Sequence, residues 1–340
     1  MRILILYNAP LLDPDHRDYA QEAGVLESVE AVAAALAPRG HTIERLGLTT
    51  DFEPLVRLAR GQSRPDVVVN FCEGFAGRPE LEPQAAGLLD LLELPYTGSP
   101  VEALALARDK SRTKWLLQGA SLPTPEFEVV EVGGRVSPAM TARLATGPLF
   151  VKPASEDASL GIGPESVVST AAKLAERVAD IHRRYGAALV ERFVDGREFN
   201  TSVIALPDPR VLPLAEVNFN REASGGWGIV TYDAKWTPES AAWSGTPVTC
   251  PADTDDRLAT RLREVSLAAF RLVGCRDYAR VDLRVDAAGD PFVLEVNANP
   301  DIAPTAGFAR SLAADGISYG DFCEQLIATT FARRRSGLRC

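Results

Sequence analysis

Histidine and cysteine are both scarce in this chain of 340 residues. The three histidines, His16, His41 and His182, are too far apart in sequence to suggest a cluster of metal ligands. The five cysteines are scattered and include no CxxC pair, so the sequence offers no zinc site. An odd number of dispersed cysteines also suits a reducing compartment.

The sequence also lacks a long apolar run and a surplus of basic residues. No stretch approaches the roughly 20 apolar residues that a membrane-spanning helix needs. Lysine and arginine total 36 against 46 acidic residues, a net charge of -10, which argues against a nucleic-acid or anionic-membrane surface. A nucleotide is still compatible with this charge, since it needs only a few well-placed cations. Because residues 1–8 turn polar after a short apolar run, they favour a buried strand over a signal peptide. We therefore expect a cytoplasmic protein with no nucleic-acid or membrane partner.

The length of the chain allows two or three domains. Residues 3–7 and 66–72 are continuous apolar runs of the kind that parallel sheets bury. Between these runs, apolar residues recur with helical spacing over residues 25–36. A second helical pattern follows both runs and covers residues 101–118. This order predicts an open α/β domain over residues 1–100 and an α/β (α+β) fold class.

A predicted hairpin in the C-terminal part carries the strongest chemical signal. Arg280 and Asp282 are two residues apart on its first strand, and Glu295 and Asn297 on its second, so each pair shares one face. Oxygen ligands on two paired strands suggest a site for Mg²⁺, which prefers hard oxygen ligands and phosphate. The alternative is a solvated hairpin with alternating polar residues. The metal site is favoured because residues 297–300 directly follow an apolar strand.

Two further segments have the character of a nucleotide site. Lys152 lies near the end of a short apolar strand, and the loop of small residues after it can bring backbone N–H groups around phosphate oxygens. This loop is not a Walker motif, because GxxxxGK[ST] is absent. The strand that contains Glu191 leads to a turn that can pair with an adenine edge, with Glu198 placed for ribose hydroxyls. Taken singly, the first segment also fits a loop that binds nothing, and the second a β-hairpin with an acidic flank.

The order of these segments resembles the ATP-grasp superfamily, and within it the D-alanine–D-alanine ligase-like group. The likeness covers about residues 1–330 and is specific in the nucleotide-binding half. The matching stretches are LPYTGS (94–99), DK (109–110), FVKPASE (150–156), ERFVDGRE (191–198), YDAK (232–235), RVD (280–282) and EVNANP (295–300). The resemblance implies a three-domain ATP-grasp fold. Its implied parts are an N-terminal α/β substrate domain (1–100), a central subdomain (101–190), a C-terminal Mg-binding subdomain (191–332) and a tail (333–340).

The resemblance also implies roles for individual residues. The implied ATP contacts are Lys110, Lys152, Ser155, Ser159, Gly161, Glu191, Phe193, Val194, Glu198, Lys235 and Leu294. Within this set, Lys110 and Lys152 would hold the phosphates, the loop 155–161 would fold over them, and Lys235 would approach the γ-phosphate. The adenine hinge would be formed by Glu191, Phe193 and Val194, with the ribose on Glu198. Two Mg²⁺ ions, or Mn²⁺ as an alternative, would be bound by Asp282, Glu295 and Asn297. Arg280 would face a reacting acyl phosphate, which makes Arg280 and Lys235 the implied catalytic residues.

A ligase of this kind needs no covalent protein intermediate, which fits the absence of a Ser/His/Asp or Cys/His nucleophile arrangement. A substrate carboxylate attacks the γ-phosphate to give an acyl phosphate, and an amine then attacks the carbonyl and expels phosphate. Positioning and charge neutralisation do most of this work. We therefore expect an ADP-forming carboxylate–amine ligase that acts on small molecules, with amino acids as substrates. By analogy with the relatives, we also expect a homodimer.

The substrate-binding half departs from true D-alanine–D-alanine ligases. Their N-terminal glutamate corresponds to Glu22 or Ala23, and their phosphate-loop serine to Ala158. Trp236 stands where the family has a tyrosine after Lys235. The His-Gly pair that the family has after the third strand is replaced by Cys72-Glu73-Gly74.

The C-terminal substrate motif departs as well. Asp301 occupies the position of the family's glycine, and Ala306 that of the serine that would bind the second substrate's carboxylate. One hypothesis is that the amine-bearing substrate lacks this carboxylate or carries a basic group that Asp301 meets. The other is that Asp301 only caps a turn. The candidate substrate contacts are Glu22, Glu73, Trp236 and Asp301.

Other functions remain as alternatives. The chain is compatible with a genuine D-alanine–D-alanine ligase that has unusual substrate contacts. A catalytically degenerate ATP-binding regulatory module is a second alternative, although the intact lysines and predicted metal ligands argue against it. A nicotinamide-dependent dehydrogenase is disfavoured, because no GxGxxG follows the first strand.

Overall fold

The computed structural model describes residues 1–13, 15–16, 19–155, 159–222, 226–237 and 239–336. Its strands are β1 (Arg2–Asn8), β2 (Thr42–Leu48), β3 (Val67–Phe71), β4 (Phe127–Val130), β5 (Leu149–Pro153), β6 (Val167–Val168), β7 (Ala188–Arg192), β8 (Arg197–Ala205), β9 (Pro209–Val211), β10 (Ala215–Val217), β11 (Val248–Thr249), β12 (Tyr278–Val285) and β13 (Pro291–Asn297). Its α-helices are α1 (Tyr19–Ala23), α2 (Val25–Leu36), α3 (Glu53–Arg60), α4 (Glu82–Leu91), α5 (Val101–Arg108), α6 (Lys110–Gly119), α7 (Pro138–Ala142), α8 (Ala171–Arg184), α9 (Tyr232–Trp236), α10 (Ala241–Ser244), α11 (Asp256–Val273), α12 (Gly307–Ala314) and α13 (Tyr319–Ser336). Among the described residues, no helix is long and apolar enough to cross a membrane.

The N-terminal sheet has the strand order β2-β1-β3, and its strand pairs are parallel. One face packs against α2 and α13, and the other against α3, α4 and α5. Because helices cover both faces, residues 3–6 and 67–69 are at most 1% exposed. The predicted parallel strands, and the helix that follows the first of them, are confirmed.

The central sheet is antiparallel, with the order β4-β7-β5-β6. Leu174, Val178 and Ile181 recur with helical spacing along α8 and cover one face of the sheet. Side chains alternate between the faces of a strand, so Lys152 and Glu191 lie on the opposite face.

The C-terminal sheet has the order β11-β10-β8-β12-β13, with β9 paired to β8, and its pairs are antiparallel. The helix α11 covers one face, where Leu262 packs against Val281 and Leu283 in a fully buried cluster. The alternating residues Arg280, Asp282 and Arg284 therefore lie on the face away from α11.

The last two helices attach the N-terminal sheet to the C-terminal one. Phe308 of α12 and Phe322 of α13 belong to the core of the N-terminal sheet, and both contact the ring of Tyr278 at the start of β12. Arg333 of α13 pairs with the buried carboxylate of Asp277, directly before β12. These contacts join the N-terminal and C-terminal sheets. The α/β fold class that the sequence predicts is confirmed.

Candidate active site

A cleft of about 1030 Å³ lies where the three sheets approach one another. The central sheet contributes Lys152 and Glu191 to its lining, and the segments after β1 and β3 contribute Ala9 and Glu73. The predicted site residues that line the cleft are Glu22, Glu73, Lys152, Ser159, Glu191, Phe193, Val194, Glu198, Lys235, Trp236, Arg280, Asp282, Leu294, Glu295, Asn297 and Asp301. The predicted ATP contacts Lys110, Ser155 and Gly161 do not form part of this lining.

Three rungs of cross-strand neighbours build the polar face of the C-terminal sheet. The rungs are Glu198 with Arg284; Asn200 with Asp282 and Glu295; and Ser202 with Arg280 and Asn297. Antiparallel neighbours on one face have Cβ atoms about 5 Å apart, so each rung brings its polar groups within contact distance. The two-residue period predicted for this hairpin is confirmed.

A β-bulge places two consecutive residues of β13 in the cleft. The register shifts between Asp282, which faces Glu295, and Leu283, which faces Val293. Leu294 is the extra residue, and both Leu294 and Glu295 line the cleft, while Val293 and Val296 are buried on the other side. A regular strand would have sent Leu294 and Glu295 to opposite faces. The bulge therefore allows an apolar contact and a carboxylate to stand side by side.

The Asp282 carboxylate accepts four hydrogen bonds. Arg280 donates to both of its oxygens, at 2.8 and 2.9 Å, while the amides of Asn200 and Asn297 donate at 2.9 and 3.0 Å. These donors hold the negative charge in one orientation. The neighbouring Asp282 in turn helps to raise the pKa of Arg280 above its ordinary value, against the opposing effect of burial.

Glu295 is surrounded by positive charge. Its carboxylate lies 3.3 Å from the Lys110 ammonium group. Burial by itself would raise the pKa of Glu295, but nearby cations outweigh it and hold the pKa well below the ordinary value. These cations are Lys110, Lys152, Arg280 and Lys235. The structure thus brings together four of the predicted phosphate and acyl-phosphate contacts.

The helical pattern predicted over residues 101–118 corresponds to two helices, α5 and α6, and the break between them lies directly before Lys110. Asp109 has an extended backbone, with ψ at 93°, and its side chain accepts from the Arg112 N–H at 3.0 Å. It therefore serves as the N-cap of α6 and separates it from α5. Lys110 is the first residue of α6, where it is 5% exposed.

Lys114 does not line the cleft but pairs with Glu191, which does, and this lysine was missed from the sequence. Its ammonium group lies 2.7 Å from Glu191, and the Lys152 ammonium group lies 2.9 Å from the other oxygen of the same carboxylate. Burial lowers the pKa of Lys114 to about 8, although Glu191 opposes the shift. Burial would raise the pKa of Glu191, but the two lysines lower it below the ordinary value. The signal was the spacing of four between Lys110 and Lys114, which places both on one face of a helix.

The predicted adenine hinge follows β7. The Phe193 N–H donates to the Pro148 carbonyl at 3.1 Å, and the Val194 carbonyl accepts from Arg284 at 3.0 Å. No described residue accepts from the Val194 N–H. This N–H is therefore the backbone group of the hinge that is available to a ligand.

Glu198, the predicted ribose contact, is buried and paired with Arg284 at 2.8 Å. Burial raises the pKa of Glu198 above its ordinary value, and Arg284 acts in the opposite direction. Sequence reasoning missed Arg284, although its two-residue spacing from Asp282 places it on the same face.

Comparison with known proteins identifies the family. The model of the D-ala D-ala ligase C-terminus family matches residues 116–328, more than half of the chain. The chain belongs to the D-alanine–D-alanine ligase family. The predicted ATP-grasp fold is confirmed. Membership of this family also confirms the predicted ATP-dependent, ADP-forming ligase activity.

Individual relatives extend over nearly the whole chain. An uncharacterized protein of Sinorhizobium fredii is 33% identical over 314 residues, which cover 89% of this chain and 87% of that one. A D-alanine–D-alanine ligase of Marinobacter nauticus is 34% identical, with 93% of this chain and 89% of that one covered. The solved structure of the D-alanine–D-alanine ligase from Bacillus anthracis complexed with ATP matches with a TM-score of 0.76 at 21% identity, over 99% of both chains. This structural likeness shows the fold.

The predicted phosphate loop of this D-alanine–D-alanine ligase family member is anchored at its C-terminal end. Residues 156–158, including Ala158, lie outside the described residues. Ser159 lines the cleft, whereas the carbonyl of Gly161 accepts from buried Arg177 of α8. Arg177 also donates to Ser166 at 3.0 Å. We conclude that α8 positions the loop from behind.

Lys235 and Trp236 lie at the end of α9, which begins after Thr231. The Thr231 hydroxyl accepts from the Ala234 N–H at 3.2 Å and serves as the N-cap. The Lys235 ammonium group lies 5.7 Å from the centroid of the Trp236 ring. Trp236 therefore stands beside the lysine where the family has a tyrosine.

The N-terminal substrate candidates occupy the other end of the cleft. Glu22 accepts from the Leu12 N–H at 2.8 Å, and this hydrogen bond ties α1 to the segment that follows β1. The Glu73 N–H donates to the Asn8 side chain at 2.9 Å, which fixes the segment after β3. Both carboxylate-bearing residues line the cleft.

Asp301 does cap a turn. Its Oδ1 accepts from the Ala303 N–H at 2.8 Å and from the Ser28 hydroxyl at 3.3 Å. The residue is nevertheless exposed and lines the cleft, and no described residue donates to its Oδ2. Turn capping and substrate contact are therefore compatible in this geometry.

Proposed function

We propose that the cleft binds Mg-ATP, with the phosphates placed among Lys110, Lys152 and Lys235. The proposal is carried by the surroundings of Glu295, where five cations outnumber three carboxylates. The cations are Lys110, Lys114, Lys152, Lys235 and Arg280, and the carboxylates are Glu191, Asp282 and Glu295. A polyphosphate would supply the negative charge that balances them. This local excess of positive charge explains how a chain with a net charge of -10 can hold a polyanion.

The donor set at this point fits magnesium. Asp282 and Glu295 face each other across two strands and Asn297 follows one rung further, so two carboxylates and an amide oxygen meet in the cleft. Asn297 donates to Asp282 through Nδ2, and its Oδ1 is the atom that would bind metal. When bound, Mg²⁺ would neutralise phosphate charge. Two ions per site, and Mn²⁺ as an alternative, stay predictions.

Three groups would contact the nucleoside end of ATP. The Val194 N–H would pair with the adenine edge, and Glu198 would accept from ribose hydroxyls. Leu294, placed in the cleft by the bulge, would supply an apolar contact to the base.

A homodimer stays a prediction.

The reaction proceeds in two displacements. A substrate carboxylate oxygen attacks the γ-phosphorus, the bond to the β-phosphate oxygen breaks, and ADP leaves with that electron pair. The amine of the second substrate then attacks the acyl carbon, phosphate leaves, and the amine loses a proton. Arg280 binds Asp282 through Nε and Nη2, so its Nη1 is the group that would face the acyl phosphate. Lys235 would neutralise charge at the transferred phosphoryl group.

The amine-bearing substrate is proposed to lack a carboxylate or to carry a basic group. The exposed Asp301 carboxylate in the cleft supports this, together with Ala306 in place of the family's serine. The second candidate is a genuine D-alanine–D-alanine ligase, as the M. nauticus relative is named. One observation favours it: Arg310 lines the cleft, is exposed, and its guanidinium has no described partner, so it can receive a carboxylate.

A substrate panel distinguishes these functions. ADP release from Mg-ATP would be measured with D-alanine as the acid and D-alanine, D-alaninamide or putrescine as the amine, with product masses recorded. We expect faster turnover with D-alaninamide or putrescine than with D-alanine. Faster turnover with D-alanine would identify a D-alanine–D-alanine ligase. ATP binding without turnover for any acid and amine would support the regulatory module instead.

A further inference from the structure

Arg284 is a buried arginine at the nucleoside end of the cleft that the mechanism above does not use. It lies on β12, is 3% exposed, and its three guanidinium nitrogens all donate. Nε and Nη2 donate to the same oxygen of Glu198, Oε2, at 3.0 and 2.8 Å. Nη1 donates to the Val194 carbonyl at 3.0 Å, and Nη2 also donates to the Gly228 carbonyl. One side chain thus joins the ribose carboxylate, the adenine hinge and the segment that leads to α9.

Two aromatic rings hold the guanidinium plane in place. Its Cζ lies 5.2 Å from the ring centroid of Phe193 and 5.2 Å from that of Phe219. Cation–π contacts of this kind become stronger when the cation is removed from water. The ring of the hinge residue Phe193 is therefore part of the same assembly.

Arg284 contacts only one of the two carboxylate oxygens of Glu198. Both bonds from Arg284 end on Oε2, and no described residue donates to Oε1. Glu198 lines the cleft, and an ionised carboxylate oxygen can only accept. Oε1 is thus left as an acceptor for a ligand hydroxyl, while Oε2 is fixed.

Packing alone does not account for this pair. A buried arginine–glutamate pair is costly to desolvate, and apolar residues of similar volume often replace such a pair without loss of stability. An apolar replacement would, however, remove the open oxygen. The geometry therefore points to a role in ligand binding.

We propose that Arg284 is a positioning residue that holds Glu198 so that Oε1 accepts from the ribose hydroxyls of the nucleotide. This inference rests on the proposed ATP site. It adds to that site a residue that acts through Glu198.

The test compares ATP with 2′-deoxy-ATP and 3′-deoxy-ATP as substrates, through kcat/KM with the best acid and amine of the panel. The variants are Arg284→Met, Glu198→Gln and the double variant. Arg197→Met serves as the matched control, because Arg197 lies on β8 and pairs with Glu216 at 2.6 Å on the other face of the sheet. Failure of the wild-type chain to use ATP would defeat the proposed function itself, before the inference is tested.

We expect the wild type and Arg197→Met to disfavour at least one deoxy analogue by roughly 10- to 100-fold, as for one hydrogen bond to a charged group. Arg284→Met and Glu198→Gln should each accept that analogue to within about threefold of ATP, and the double variant should match the single ones. Undiminished discrimination in Arg284→Met, or none in the wild type, would overturn the inference. Should Arg284→Met fail to fold, Arg284→Lys decides: reduced discrimination supports the role, and wild-type discrimination contradicts it.

Discussion

Asp282 and Glu295 face each other across β12 and β13, yet they are held by different parts of the chain. Asp282 is fixed within the sheet by Arg280, two residues away, whereas Glu295 pairs with Lys110 at the start of α6. The carboxylate pair is therefore complete only when α6 has docked against the hairpin. Removing either carboxylate should weaken metal and phosphate binding more than it lowers the stability of the fold.

Replacing Glu295 with glutamine should abolish most activity and leave the fold intact. The amide cannot balance the four surrounding cations and binds Mg²⁺ less well, so we expect kcat to fall by about 10²- to 10³-fold. Turnover would be measured as a function of Mg²⁺, with circular dichroism to verify folding. Glu264→Gln, on the exposed side of α11, is the control. Wild-type turnover in Glu295→Gln would refute the metal assignment.

Replacing Lys114 with methionine should destabilise the protein and change its pH dependence. Glu191 would keep only Lys152 as a partner in a buried site, and breaking a buried pair costs about 3–5 kcal/mol. The pKa of Lys114 is lowered from 10.5 to about 8, so the unfolded chain binds more protons between these values. The free energy of unfolding should therefore rise with pH across this window in the wild type.

Urea unfolding at pH 7 and between pH 8 and 10.5 measures both effects. The variant should lack this contribution to the pH slope. Arg143→Met is the control, because the Arg143–Glu126 pair is about half exposed and such pairs contribute about 1 kcal/mol or less. Equal losses in the two variants would contradict the buried role of Lys114.

Replacing Asp301 with asparagine should change which amine is used. Loss of the carboxylate removes repulsion from a substrate carboxylate and attraction for a basic group. We expect the preference for D-alaninamide or putrescine over D-alanine to fall by roughly tenfold in kcat/KM. Asp208→Asn, at an exposed turn, should leave the preference unchanged. If Asp301→Asn also leaves preference and KM unchanged, Asp301 has only its turn-capping role.

Replacing Gly161 with alanine should weaken ATP binding. Gly161 has φ at +71°, and a Cβ there would lie 2.8 Å from the Tyr185 ring, so either the ring or the predicted phosphate loop must shift. We expect the KM for ATP to rise roughly tenfold or more. Gly186 also has a positive φ, at +97°, but open space around it. An equal rise in Gly186→Ala would mean that backbone strain, and not crowding of the loop, is responsible.

The periodic parts of the site could be predicted from the sequence. Arg280 with Asp282, and Glu295 with Asn297, follow from the two-residue period of strands, and the apolar runs of β1 and β3 follow from burial on both faces. The family resemblance supplied the remaining nucleotide contacts, which stay predictions. These inferences depend on local patterns, which a single sequence displays directly.

The missed features depend on interruptions and on contacts between distant segments. The bulge at Leu294 and the break at Asp109 each change which way a side chain faces, and neither interrupts the apolar pattern clearly. Lys114 and Arg284 gain their meaning from partners on other elements, Glu191 and Glu198. A charged residue in a helix or strand usually indicates a solvated face, so burial of these two could not be read from their spacing alone.

The central claim is that the cleft joins a carboxylate to an amine through an acyl phosphate. The most direct measurement uses the acid that turns over in the substrate panel, labelled with ¹⁸O in its carboxylate, and analyses the released phosphate by mass spectrometry. We expect one carboxylate oxygen to appear in each phosphate, in step with ADP and amide product. Phosphate without the label would contradict this mechanism.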